Sequence, residues 1–148
     1  MKRSFVAAAL FALIAGLAVN VYADLDGFLS NLNIQARADM NGFSVKLGAQ
    51  FGVPVPQVQG IIRSVGMPAD AFMCLQLSQW SKRQPDMVVT TYKANKGKGW
   101  GVIAKQLGIK PGSAEFHALK RGDLYFTGAP GEVSSQGKGK GKGKGHNK

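Results

Sequence analysis

Apolar residues recur at spacings of three and four along the chain from residue 24 to residue 122, in short runs separated by glycine or proline. This spacing is typical of amphipathic helices. Pro68 and Pro85 lie at predicted helix starts, and Gly52, Gly108 and Gly122 lie at predicted helix ends. The predicted helices cover residues 24–32, residues 39–51, a segment carrying Val58 and Ile62 that ends near Gly66, residues 69–81, a segment from Pro85 through Tyr92, residues 100–107, and a last helix that Ser113 caps and that ends near Lys120.

Period-two alternation is too brief to predict a sheet, and only Leu124–Phe126 could form a short strand. Connections of two to six residues suit a bundle of small helices. We therefore predict an all-α fold for residues 24–127, a compact bundle of about five to seven short helices with helix-turn-helix-like corners.

The first 23 residues have the pattern of a cleavable secretory signal peptide. Lys2 and Arg3 precede a fifteen-residue apolar run, and Val21 and Ala23 occupy positions −3 and −1 of a signal-peptidase site. A bilayer-spanning helix needs roughly 20 residues, so an uncleaved anchor is the weaker alternative. We expect a bacterial protein that is exported to the periplasm or secreted, and that is soluble once processed.

Residues 128–148 form a tail with few apolar residues and alternating glycine and lysine near its end. Such a segment cannot bury apolar surface, so we predict that it is disordered. The whole chain carries a net charge of +11, and five of its positive charges lie in this tail. The tail is expected to adhere to anionic envelope components such as lipid headgroups, lipopolysaccharide or other polyanions, or else to act only as a solubilising end. The tail cations are Lys138, Lys140, Lys142, Lys144 and Lys148.

Within the helical part, a basic turn at residues 95–99 precedes the predicted helix that starts at Trp100. Lys96, Lys98 and the free backbone amides of that helix could bind a phosphate or carboxylate. The turn lacks the spacing and the Lys-Ser/Thr pair of a nucleotide-binding P-loop. A solvated turn that only positions Trp100 is the alternative.

The remaining reactive side chains do not form a recognisable catalytic or metal site. Cys74 is the sole cysteine and lies in an apolar helical stretch, which is typical of a buried thiol. His117 and His146 are far apart in the chain, and a metal site needs several ligands at defined spacing. We predict neither enzymatic activity nor a cofactor, although an active site built from scattered carboxylates is left open.

Two stretches, residues 45–63 and 102–121, resemble the helix-turn-helix motif of DNA-binding proteins. In each, an apolar helix ends at a glycine, and a second helix carries apolar residues three apart. The second stretch departs from the motif because its turn is two residues longer, and the two may be a duplication or two solutions to one packing problem. Helices that pack at a sharp angle need this spacing whatever they bind, and export removes the chain from the chromosome. The sequence thus favours an exported non-enzymatic binding or structural module, with extracytoplasmic nucleic-acid binding as the alternative.

Overall fold

The computed structural model describes residues 21–128, with side chains from residue 25 onward. Residues 1–20 of the predicted signal peptide and residues 129–148 of the predicted tail lie outside this range. The described residues contain helices and no strand, which confirms the all-α prediction. The seven helices are α1 (Val21–Ala38), α2 (Met40–Phe51), α3 (Val55–Val65), α4 (Pro68–Ser81), α5 (Pro85–Ala94), α6 (Trp100–Gln106) and α7 (Ala114–Arg121).

The first helix is longer than its predicted extent. It was expected to end near Leu32 but continues for six residues to Ala38, where the Asp39 side chain caps the next helix by accepting a hydrogen bond from Gly42 N at 2.9 Å. The extension is stabilised by packing, because Ala36 is buried and the Asn33 side chain accepts a hydrogen bond from the backbone of Ala69. None of the described helices is long and apolar enough to cross a membrane.

Helix α4 forms the centre of the bundle and contacts α1, α2, α3 and α5. Every residue from Ala71 to Leu77 is buried, as expected for a helix with apolar residues around most of its circumference. The Phe72 ring packs edge-on against Phe28, Phe51 and Phe126, at centroid distances between 5.3 and 6.2 Å. Aromatic groups from three other segments therefore meet on this helix.

The segment after α7 folds back onto α2, and residues 124–126, the one stretch that could have formed a short strand, form none. Phe126 is 1% exposed and packs against Phe43 at a centroid distance of 5.1 Å. The Gln50 side chain donates a hydrogen bond to the carbonyl of Tyr125 at 2.8 Å and accepts one from the backbone of Thr127 at 3.1 Å. A side-chain amide thus satisfies backbone groups that a partner strand would otherwise bind.

Candidate anion-binding surface

Positive charge is concentrated in the last third of the described fold. Residues 93–121, here called the basic segment, contain seven cations and one carboxylate, whereas residues 25–92 contain five cations and four carboxylates. All seven cations of the basic segment are exposed, as is Glu115. The seven are Lys93, Lys96, Lys98, Lys105, Lys110, Lys120 and Arg121.

Few of these charges are neutralised by neighbours. Within residues 25–128 the salt bridge between Arg121 and Asp123, at 2.8 Å, is the sole ion pair, and both side chains are more than 60% exposed. A pair so exposed contributes little stability and leaves the guanidinium accessible. Within the described residues the other six cations of the basic segment have no carboxylate within salt-bridge distance, and all six are exposed to solvent.

The turn that carries Lys96 and Lys98 is held rigidly. The side-chain amides of Asn95 and Gln106 exchange two hydrogen bonds, at 2.7 and 2.9 Å, which tie the start of the turn to the end of α6. The Trp100 ring stacks on Tyr92 with centroids 5.2 Å apart. The turn therefore positions Trp100 and projects both lysines into solvent, while the binding of an anion by these lysines stays a prediction.

Sequence reasoning singled out two of the seven cations of the basic segment and missed five. Lys93 lies in the last turn of α5, Lys105 lies on α6, Lys110 lies in the next turn, and Lys120 and Arg121 end α7. The five are spread over three helices and a turn and belong to no motif. Counting charge by region would have found them, since a single carboxylate interrupts the run.

The buried thiol of Cys74 and the buried phenol of Tyr92 both have raised pKa values. Cys74 is fully buried, and burial followed by the nearby Asp70 carboxylate raises the pKa of its thiol to about 12. Burial and a hydrogen bond from Tyr92 Oη to Asp70, at 2.5 Å, likewise raise the pKa of Tyr92. Since a thiolate is the nucleophilic form, this cysteine is poorly suited to covalent chemistry.

Metal chemistry has no evident site in the part of the chain that the structure describes. No group of three or more His, Cys, Asp or Glu side chains is close enough there to hold an ion. His117 is exposed on α7, beside Lys120, whose ammonium lies 5.6 Å from the Phe116 ring centroid. The Lys120 ammonium lies over the Phe116 ring and keeps its positive charge, so this surface of α7 stays basic.

The two helix-turn-helix-like stretches correspond to α2–α3 and α6–α7. In the first, Gly52 ends α2 in the left-handed conformation and α3 starts three residues later. In the second, the longer predicted turn is present, because six residues separate Gln106 from the N-cap Ser113. Helix α3, the second helix of the first stretch, carries one cation, Arg63, whereas the whole second stretch lies within the basic segment.

Comparison with known proteins assigns no family to this chain. No protein-family model matches it, and no curated protein or solved structure is significantly similar to it. The function of this chain is therefore inferred from the chemistry of its own surface.

Proposed function

We propose that this protein is an exported, non-enzymatic module that adheres to anionic envelope material through its basic segment and its lysine tail. The observation that carries the proposal is the charge imbalance of residues 93–121, where six of seven exposed cations have no carboxylate partner within the described residues. Each lysine near an anionic membrane contributes up to about 1 kcal/mol. Several acting together give useful adhesion without a shaped pocket.

The tail extends the same chemistry. Its five lysines add to the seven cations of the basic segment, and both follow the balanced region of residues 25–92. Because both groups are linked in one chain, the attachment of one raises the effective concentration of the other. We expect adhesion that is strong at low salt and falls steeply as salt screens the charges.

Co-sedimentation with vesicles tests the proposal. Residues 24–148 are mixed with vesicles of phosphatidylglycerol and phosphatidylcholine, or of phosphatidylcholine alone, across a range of salt concentrations. We expect binding to the anionic vesicles that is lost at high salt, and a weaker but measurable binding when all five tail lysines are changed to glutamine.

A charge-matched pair of variants tests the basic segment. Lys93→Gln, Lys98→Gln and Lys105→Gln together should reduce vesicle binding by about tenfold to a hundredfold, since up to about 1 kcal/mol per lysine is removed. Arg37→Gln, Lys46→Gln and Arg63→Gln remove the same charge from the balanced region and should have a smaller effect. Equal losses from the two triple variants, or binding insensitive to salt, would contradict the proposal.

The second candidate is nucleic-acid binding outside the cytoplasm. It is favoured by the α2–α3 corner, whose second helix leaves Gln57, Arg63 and Ser64 exposed. This candidate requires that the chain without its tail still bind duplex DNA, with an affinity that falls steeply as the salt concentration rises. Gel shifts with residues 24–128 separate the candidates, because retained duplex binding that Arg63→Gln weakens more than Lys105→Gln would favour DNA.

A further inference from the structure

A groove of about 390 Å³ opens between two turns on a different part of the molecule. One turn joins α2 to α3, and the other joins α4 to α5. The volume lies within the range of roughly 300–1,000 Å³ that small-molecule sites occupy. The residues that line the groove include two cations and several amides but no carboxylate and no histidine.

The two sides of the groove differ in chemistry. The first turn and the floor contribute apolar surface from Phe51, Val53 and Leu75. The second turn contributes the exposed cations Lys82 and Arg83, which have no ion pair within residues 25–128. An occupant that matches both sides is anionic at one end and apolar at the other.

Further hydrogen-bond donors line the same groove as the two cations. The side-chain amides of Gln57 and Gln84 line the groove, and neither makes a hydrogen bond to another described residue. The Ser78 hydroxyl donates to the Arg83 carbonyl at 2.6 Å, and the Arg83 N–H donates to the Ser78 carbonyl at 3.3 Å. The backbone N–H and carbonyl of Arg83 are therefore both hydrogen-bonded, while its guanidinium stays free to bind a ligand.

Lys82 occupies an unfavourable backbone conformation. Its φ of 58° makes it the only non-glycine residue with positive φ in the described chain, whereas the left-handed residues that follow α2, α3 and α7 are Gly52, Gly66 and Gly122. The left-handed region costs a residue with a Cβ about 1–2 kcal/mol. Backbone strain of this kind tends to occur at ligand sites, and here it falls on a residue that lines the groove.

We infer that this groove binds a phosphate ester whose other end is apolar. The Arg83 guanidinium donates paired hydrogen bonds to phosphate oxygens, and the Lys82 ammonium adds a second positive charge. The amides of Gln57 and Gln84 donate to the remaining oxygens, and the apolar part lies against Phe51 and Val53. The residues differ from those of the basic segment, so this inference does not depend on the proposed function.

A titration followed by NMR of the ¹⁵N-labelled chain, residues 24–148, tests the inference. The probes are glycerol 3-phosphate and the soluble short-chain lipid dihexanoyl phosphatidic acid. We expect saturable shifts at Gln57, Arg83 and Gln84 with at least one of them. Tighter binding of the lipid would identify a lipid headgroup as the source of the phosphate, and equal binding of the two probes would contradict the apolar half of the inference.

Two double variants with the same charge change separate a site from general attraction. Lys82→Gln with Arg83→Gln should weaken binding at least about tenfold, since the paired hydrogen bonds of Arg83 and the charge of Lys82 are lost. Lys105→Gln with Lys110→Gln should change it by less than about twofold. Asp86 lines an adjoining groove together with Gln57. Because Asp86→Asn removes a negative charge near the proposed site, it should strengthen binding of the phosphate probes about twofold.

The inference is overturned if neither probe produces saturable shifts, if the shifts concentrate on the basic segment, or if both double variants lose affinity equally. Vesicle binding of Lys82→Gln with Arg83→Gln gives an independent readout of the proposed function. That binding is expected to persist, so failure of one proposal is distinguishable from failure of the other.

Discussion

The two helical hairpins α2–α3 and α4–α5 have nearly the same turn, thirty residues apart in the chain. Gly52 has φ 66° and ψ 35°, and Lys82 has φ 58° and ψ 29°. The residues that precede the second helices also agree, since Pro54 has φ −57° and ψ 140° and Gln84 has φ −63° and ψ 142°. The chain therefore builds one turn twice.

The shared geometry follows from the same backbone hydrogen bonds and the same burial. Val53 N–H donates to the carbonyl of Gly48, and Arg83 N–H donates to the carbonyl of Ser78, the bond that closes a helix in a Schellman motif. Fully buried leucines and valines also correspond. Leu47 matches Leu77 before the turn, and Val58 matches Val88 after it.

The hairpins differ in what stands at the turn itself. The first has Gly48, Gly52 and Val53, and the second has Ser78, Lys82 and Arg83 at the equivalent positions. Burial and backbone hydrogen bonds fix the conformation in both, so the turn residues are free to differ in charge and polarity. The second hairpin uses this freedom to place cations at the groove, at a cost in backbone strain.

The largest expected difference in stability between the hairpins concerns Gly48 and Ser78, the residues whose carbonyls accept the hydrogen bonds that close the two turns. A Cβ at Gly48 would lie 2.6 Å from the carbonyl oxygen of Val53, whereas Ser78 already carries a side chain at the equivalent place. Gly48→Ala should lower the free energy of unfolding by about 1–3 kcal/mol, despite the better helix propensity of alanine.

The matched control is Ser78→Ala, which removes one exposed hydrogen bond and should cost at most about 1 kcal/mol. Urea unfolding followed by circular dichroism measures both. Equal effects of the two substitutions would contradict a close approach that is specific to Gly48.

The hairpins should also respond differently to alkali. Cys74 and Ser44 are equivalent and both fully buried, but only the thiol titrates in this range. Burial and Asp70 raise the pKa of Cys74 from 9.0 to about 12 in the folded chain. Between these values the native state keeps a proton that the unfolded state releases, so stability must fall as pH rises, by up to about 1.4 kcal/mol per pH unit.

Cys74→Ser should flatten this dependence, and Ser44→Ala should leave it unchanged. The free energy of unfolding is measured at several pH values from 8 to 9, because Tyr92, whose ordinary pKa is 10.0, also begins to ionise in the unfolded state above this range. An identical slope in the wild type and in Cys74→Ser would contradict the assignment to the thiol.

Much of the fold was predictable because its helix boundaries carry local signals. Pro68, Pro85 and the glycines that end helices act on the backbone nearest to them, so their effect is visible in the sequence. The end of α1 lacked such a signal near Leu32. Its last six residues are stabilised by contact with α4 through Asn33, which is information that only the tertiary structure contains.

The resemblance of the two turns and the groove between them could not be predicted in the same way. Local sequence suggested pairing α2–α3 with α6–α7, because glycine ends the first helix of each. The match with α4–α5 was hidden because Lys82 occupies the position that elsewhere holds glycine. The groove brings Gln57 beside Lys82 and Arg83, and no motif connects residues so distant in the chain.

The smallest expected effect comes from exchanging the residues at the left-handed position of the two turns. Lys82→Gly should raise the free energy of unfolding by about 0.5–1 kcal/mol, because the relief of strain exceeds the entropy lost by glycine. Gly52→Lys should lower it by a similar amount. Urea unfolding of both variants under the same conditions checks whether the two changes in the free energy of unfolding have opposite signs.

The same Lys82→Gly protein should bind the phosphate ester probes more weakly, since it loses one of the two cations in the groove. A more stable protein with lower affinity is the pattern expected where function keeps a strained residue in place. A loss of stability in Lys82→Gly would mean instead that contacts of the lysine side chain outweigh the strain. In that case the difference between the two turns would be explained by packing of the second hairpin rather than by a ligand.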